Sequence, residues 1–143
     1  MKDQQQTIIP HLVVSNATAA LEFYSKALGA TDIVRLPADD GKRLLHAEMS
    51  VNGEKIMLQD HFPEYAAQHG DDAVAPPNEL SGTTVTIHLW VENCDAAVKR
   101  AADAGARVTM PPWDAFWGDR YGWVVDPFGH AWSFAHPLPA KQG

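Results

Sequence analysis

Cysteine is almost absent from this chain. Cys94 is the single one, so no internal disulfide can form. A lone thiol suits a reducing compartment, and the expected location is cytoplasmic. Positive charge is scarce as well, with 11 lysines and arginines against 18 aspartates and glutamates, a formal charge of −7. That balance argues against nucleic acid or an anionic membrane surface as the partner. No apolar run approaches membrane-spanning length, and the first six residues lack the apolar core of a secretion signal. The chain also lacks a phosphate-cradling glycine loop, paired cysteines, a basic patch and a Ser-His-Asp order. What remains is the composition of a globular domain, 45% apolar and 20% charged over 143 residues, enough to bury a core.

One pattern occurs twice. Asn93 follows Asn16 by 77 residues, His88 follows His11 by 77, and Gly105 and Gly129 follow Gly29 and Gly53 by 76. So constant an offset marks an internal repeat. Each copy reads as strand–helix–strand–strand–strand, which predicts an α+β fold of two tandem βαβββ modules. The expected organisation is one domain over residues 1–143. Module one covers about 7–62, a linker about 63–82, and module two about 83–137.

In the first copy the run Ile8–Val14 predicts a strand, with Pro10 restricting it to an edge or a gap. Asn16 is placed to cap a helix whose apolar positions are Ala17, Ala20, Leu21, Tyr24 and Leu28, and Gly29 is placed to end it. Strands are predicted over Thr31–Leu36, Leu44–Val51 and Glu54–Gln59, the last two joined by Asn52-Gly53. Within the proline- and glycine-rich linker, Pro63–His69 suits a helical turn or two. A linker this long is either functional or simply solvated. In the second copy Thr84–Val91 predicts a strand and Asn93 a helix cap, with Ala97, Val98, Ala101 and Ala102 as the buried stripe. Asp95–Lys99 and Lys99–Asp103 are spaced as helix ion pairs. Gly105 ends the helix and Arg107–Met110 forms a strand that Pro111-Pro112 is expected to break. Tyr121–Val125 and His130–Ala135 form a hairpin about Asp126–Gly129.

Strand residues alternate faces. Ile9, His11 and Val13 therefore share one face, and Thr86, His88 and Trp90 share the matching face of module two. Two such modules side by side predict a half-open, curled sheet, a barrel-like cup with helices on its outer face.

Several stretches resemble one superfamily. Ala20-Leu21-Glu22-Phe23-Tyr24 with Leu28-Gly29, Val91-Glu92-Asn93-Cys94-Asp95, and Asp126-Pro127-Phe128-Gly129-His130 resemble the vicinal oxygen chelate superfamily. That superfamily takes in glyoxalase I, bleomycin-binding proteins, fosfomycin-resistance enzymes and extradiol dioxygenases. Phe116-Trp117-Gly118-Asp119-Arg120-Tyr121-Gly122 resembles its PhnB-like subgroup, and the likeness spans about residues 7–137. The resemblance implies metal-ligand positions seven residues before Asn16 and Asn93, which are Ile9 and Thr86, and four after Gly129, which is Ser133. The fourth is Met57, or Gln59 if a bulge shifts the register. Isoleucine, methionine, threonine and serine do not make a divalent-ion set, so no metal and no cofactor are expected.

His11 and His88 lie two residues beyond the first of those positions in each module, on the same face. Pointing into the cup, they can contact a ligand, shuttle a proton or hold a metal between them. The alternative is two half-buried histidines satisfied by neighbours. His46, His61, His69 and His136 have no patterned partner and are expected at the surface, and His130 is expected to be structural. Trp113, Phe116, Trp117, Tyr121 and Trp123 crowd around Asp119 and Arg120. They form either a wall for a flat ligand or a hydrophobic plug in which Asp119–Arg120 is an ion pair. The ligand-binding candidates are His11, Gln59, His88, Trp90, Trp117, Arg120 and Tyr121. The reading favoured is a metal-independent homodimer that binds a partly aromatic small molecule. The alternatives are a lyase, isomerase or dioxygenase using metal or the histidines, and a regulatory or scaffolding module with a vestigial cup.

Overall fold

Both copies of the repeat fold alike. In the computed structural model, which describes residues 6–65 and 73–140, the first copy comprises β1 (His11–Val14), α1 (Ala17–Leu28), β2 (Thr31–Pro37), β3 (Leu44–Val51) and β4 (Glu54–Asp60). A 3-10 turn (Pro63–Tyr65) and a short helix α2 (Pro77–Leu80) follow. The second copy comprises β5 (Thr86–Trp90), α3 (Cys94–Ala104), β6 (Arg107–Asp114), β7 (Asp119–Val125) and β8 (Ala131–Pro137). The strand orders are β1-β4-β3-β2 and β5-β8-β7-β6, each with one parallel pair, β1 with β4 and β5 with β8. The fold is α+β, with two four-stranded mixed sheets and no closed barrel.

The helices start and stop where the side chains dictate. Asn16 Oδ1 accepts from the Ala19 amide and Asn93 Oδ1 from the Ala96 amide, both at 3.0 Å. A second acceptor reaches each helix start from the last strand of its own module. Asp60 Oδ1 accepts from Ala17 N in the first copy and His136 Nδ1 from Cys94 N in the second, both at 2.8 Å. Gly122 lets α3 approach its sheet, because a Cβ there would come within 3.0 Å of Val98 and 3.3 Å of the Met110 carbonyl.

The helix-covered faces of the two sheets share one core. Leu12, Val14, Leu21, Tyr24, Met49 and Leu58 of the first copy join Cys94, Val98, Val124, Trp132 and Phe134 of the second. The buried carboxylate of Asp126 ties the halves together. It accepts from the Tyr24 hydroxyl on α1, from Trp132 Nε1 at 2.8 Å, and from the amides of Phe128 and His130 at 2.9 and 3.0 Å. Elsewhere, Arg100 Nε donates to the Lys26 carbonyl at 2.8 Å. Among the described residues, no helix is long and apolar enough to cross a membrane.

The fold departs from the sequence expectation in a few places. β1 begins at His11 rather than Ile8 because Pro10 lacks an amide, although the Pro10 carbonyl still accepts from Met57 N at 2.9 Å. Pro111-Pro112 does not break the strand. β6 is an edge strand, and shifts of register between Val108 and Trp113 carry the prolines through to Asp114. The turn expected over Pro63–His69 is a single 3-10 turn to Tyr65, and the rest lies outside the described residues. Helix α2 carries no periodic signal and is seated by Gly129 (φ 90°), where a Cβ would meet Asn78 Oδ1 at 2.6 Å. Lys99–Asp103 pairs at 2.7 Å as expected, but Asp95 pairs with Arg120 instead of Lys99.

Burial first, and then the Asp126 charge, hold the Tyr24 phenol well above its ordinary value of 10.0. The folded state keeps the proton that the unfolded state gives up above pH 10. This contribution is therefore complete below pH 10 and is lost as pH rises toward the folded value. Urea titrations of the protein from pH 8 to 11 should show that alkaline loss, and Tyr24→Phe should flatten it. At neutral pH the substitution should cost about 1–3 kcal/mol, the penalty of leaving a buried carboxylate short of a donor.

Candidate functional site

Each sheet turns its alternate residues away from the helices, and the two faces so formed differ in chemistry. On the first sheet, His11 stands beside Met57 and Met57 beside Glu48, with Val13 beside Gln59. His46 lies on the same face. Its Nε2 meets Glu48 Oε2 at 2.9 Å, and its ring stands edge-on to His11 at 5.9 Å between centroids. Lys55 Nζ reaches the other Glu48 oxygen at 3.2 Å. The hydrogen bond from His46, with the ammonium of Lys55, holds the Glu48 carboxyl below its ordinary value. Burial and the adjoining His46 lower the His11 imidazole. Gln59 Nε2 donates to the Asp60 carbonyl at 3.3 Å.

The second sheet presents an aromatic platform. Ile87 and Leu89 pack on the core, so Thr86, His88 and Trp90 face outward. On β7 the buried Gly122 and Val124 face the helices, and Tyr121 and Trp123 take the outer face beside Ala135 and Ser133. His88 stands 4.9 Å from Trp90, edge to face, and 5.9 Å from Tyr121 with the planes inclined by only 28°. Trp117 meets Tyr121 at 5.4 Å, Trp113 at 5.7 Å and Phe116 at 5.1 Å. The turn carrying Phe116 and Trp117 is closed by Gly118 N on the Ala115 carbonyl at 3.1 Å, and Trp117 Nε1 donates to Asp119 Oδ2 at 2.9 Å. These rings are wet: Trp90 is 60% exposed, Phe116 92% and Trp117 49%.

His88 is the polar group of this platform. Its Nδ1 meets Ser133 Oγ at 2.7 Å, and that serine is buried directly beneath it. Nε2 donates to a ligand if Nδ1 accepts from the serine, and accepts if Nδ1 donates. Either way a ligand lying on the rings meets one oriented polar atom.

Four of the seven candidates from sequence therefore come together: His88, Trp90, Trp117 and Tyr121. His11 and Gln59 belong to the other sheet, and His11 does not share a cavity with His88. Arg120 turns away from the platform. As the neighbour of outward Tyr121 it points to the helix side, where it binds Asp95 at 2.9 Å and Asp114 at 3.0 Å, with no ion pair to Asp119. It also holds the Asp95 carboxyl below the ordinary carboxylate range. His46 and His136, expected as plain surface residues, are both engaged, and His130 Nε2 donates to the Val13 carbonyl at 2.8 Å. His69 lies outside the described residues. Sequence reasoning missed the Ser133–His88 bond, although the repeat offset had already placed Ser133 on the relevant strand.

Comparison with known proteins identifies the scaffold. Residues 7–134 match the family described as Glyoxalase/Bleomycin resistance protein/Dioxygenase superfamily. The chain belongs to that superfamily. It is 46% identical over 134 residues to the uncharacterized protein Rv0887c of Mycobacterium tuberculosis, covering 94% of this chain and 76% of that one. Among solved structures it resembles TioX from Micromonospora sp. ML1, with 25% identity and a TM-score of 0.70 over 93% of this chain and 99% of that one. It also resembles a glyoxalase/bleomycin resistance protein/dioxygenase from Nocardioides, with 25% identity and a TM-score of 0.66 over 99% and 93%.

The superfamily's metal positions do not fit a metal here. Register places Met57 against His11 and Ser133 against His88 without a bulge, so Gln59 does not replace Met57. Ile9 offers no donor atom, Met57 a thioether, Thr86 a hydroxyl, and Ser133 a hydroxyl already bound to His88. Among the described residues no three histidine, cysteine or carboxylate side chains converge on a point. Elemental analysis of protein purified without chelator should find far less than one divalent ion per chain. Its melting temperature should not move with EDTA, and stoichiometric zinc, nickel, iron or manganese would contradict this assignment.

Proposed function

We propose that this protein is a metal-independent small-molecule binder of the PhnB-like, bleomycin-resistance branch of its superfamily, holding a partly aromatic ligand on the second sheet. The observation that carries this reading is the platform of Trp90, Trp117 and Tyr121, exposed at Trp90 and Trp117, with His88 oriented by Ser133 among them. Rings in mutual edge contact leave faces free to stack on a flat molecule, and a single directed imidazole nitrogen supplies orientation. The working form is a homodimer. Trp113, Phe116 and Trp117 stand exposed side by side, and a second copy would cover part of that apolar surface while narrowing access to the site.

Naphthol serves as a probe, read by quenching of tryptophan fluorescence. Trp117→Ala should weaken its binding by about 0.5–1.5 kcal/mol through lost stacking. His88→Ala should cost about 1–3 kcal/mol through the lost polar contact. Arg120→Ala should leave naphthol binding unchanged, because its guanidinium lies on the helix side. Normal binding by the Trp117 and His88 variants would refute the platform. Light scattering at tens of micromolar should report a dimer with an interface of about 1,600 Å2 or more, and a monomer there would refute the assembly.

A further inference from the structure

A cavity of about 990 Å3 lies away from the aromatic rings of the platform. It sits between β1 and β5, walled by the segments leading into both strands, by Ala73–Ala75, Pro77 and Leu80, and by His130–Ala131. Its character is the opposite of the platform's. The described residues lining it include no phenylalanine, tyrosine or tryptophan, and no aspartate, glutamate, lysine or arginine. In a chain that is 20% charged, that is an unusual stretch of wall. Ile8, Val74, Leu80 and Val85 rim it at 86%, 65%, 66% and 64% exposure, a cluster of aliphatic surface left to water.

Few polar groups face this space. His130 spends Nε2 on the Val13 carbonyl, and the Thr83 hydroxyl is engaged with the Val85 backbone. The His11 imidazole and the hydroxyls of Thr84 and Thr86 remain. Burial and His46 keep the His11 imidazole below its usual value, and a neutral imidazole offers one N–H and one lone pair.

We infer that this cavity is a second binding site, distinct from the aromatic platform, for an uncharged aliphatic molecule with one hydroxyl or carbonyl head that meets His11. Aliphatic walls gain from burying methylenes, and a volume near 990 Å3 suits a molecule of drug-like size. An ionic head would lose its water here with no countercharge among the described lining.

A homologous series of straight-chain alcohols tests the site by isothermal titration calorimetry. Affinity should rise about fourfold for each methylene added from hexanol to decanol. Decanoate at pH 8 should bind at least about tenfold more weakly than decanol. Val85→Trp and Leu80→Lys, both at exposed positions on different walls, should abolish decanol binding while leaving the melting temperature and naphthol binding unchanged. Trp117→Ala should bind decanol as the parent protein does. The inference is overturned if affinity does not depend on chain length or if decanoate binds as well as decanol. It also fails if both wall variants bind decanol normally, or if Trp117→Ala loses it, since the alcohol would then lie on the platform. Absence of decanol binding together with a dimer broken by Val85→Trp would show that a second copy covers the cavity, and would also overturn the inference.

Discussion

The structure hangs on one buried carboxylate. Asp126 gathers the Tyr24 hydroxyl, the Trp132 indole and two amides of its own turn. It thereby joins residues 102 apart in sequence. Removing a charge from water is costly unless every lone pair finds a donor, and here four donors do so. The bond to Tyr24 sets the β7–β8 turn on helix α1. That seating brings His130 within reach of the Val13 carbonyl, and Trp132 anchors the strand whose next residue, Ser133, orients His88. The polar centre of the platform is thus positioned by a contact between modules on the opposite face of its sheet.

The repeat was legible because its signals are local. Asn16 and Asn93 cap their helices through atoms three residues away, and hairpins around Gly53 and Gly129 follow from short turns. Alternation was enough to group Thr86, His88 and Trp90 on one face. It would also have sent Arg120 to the other face, had the strand been taken to begin at Asp119. What could not be read locally was pairing across strands. Ser133 with His88, Asp95 with Arg120, and His136 with the Cys94 amide all join residues whose proximity is decided by register and packing. The prolines misled for a related reason. A proline forbids a central strand but not an edge, and which strand is an edge is a property of the sheet order.

The two faces and the cavity show how a duplicated scaffold separates chemistries. Each module contributes the same backbone, yet the first sheet carries a histidine–glutamate–lysine cluster where the second carries rings. The helix caps diverged in the same manner, a carboxylate in one copy and an imidazole in the other performing the same service. Cys94 is buried at the start of α3, where burial pushes its thiol up to about 11 and its Sγ points at the Phe134 carbonyl, so it serves as a small apolar filler. The proposed sites lie on outward residues and in the seam, whereas the inward residues pack the core.

The prolines of β6 have a consequence for strand addition. An unpaired strand edge is a template on which another chain can add, and repetition of that addition builds fibrils. The outer edge of the second sheet, β6, replaces two successive amides with Pro111 and Pro112 and shifts register twice. The outer edge of the first, β2, also shifts register twice and ends on Pro37. Both of these rims are therefore poor templates for an added strand.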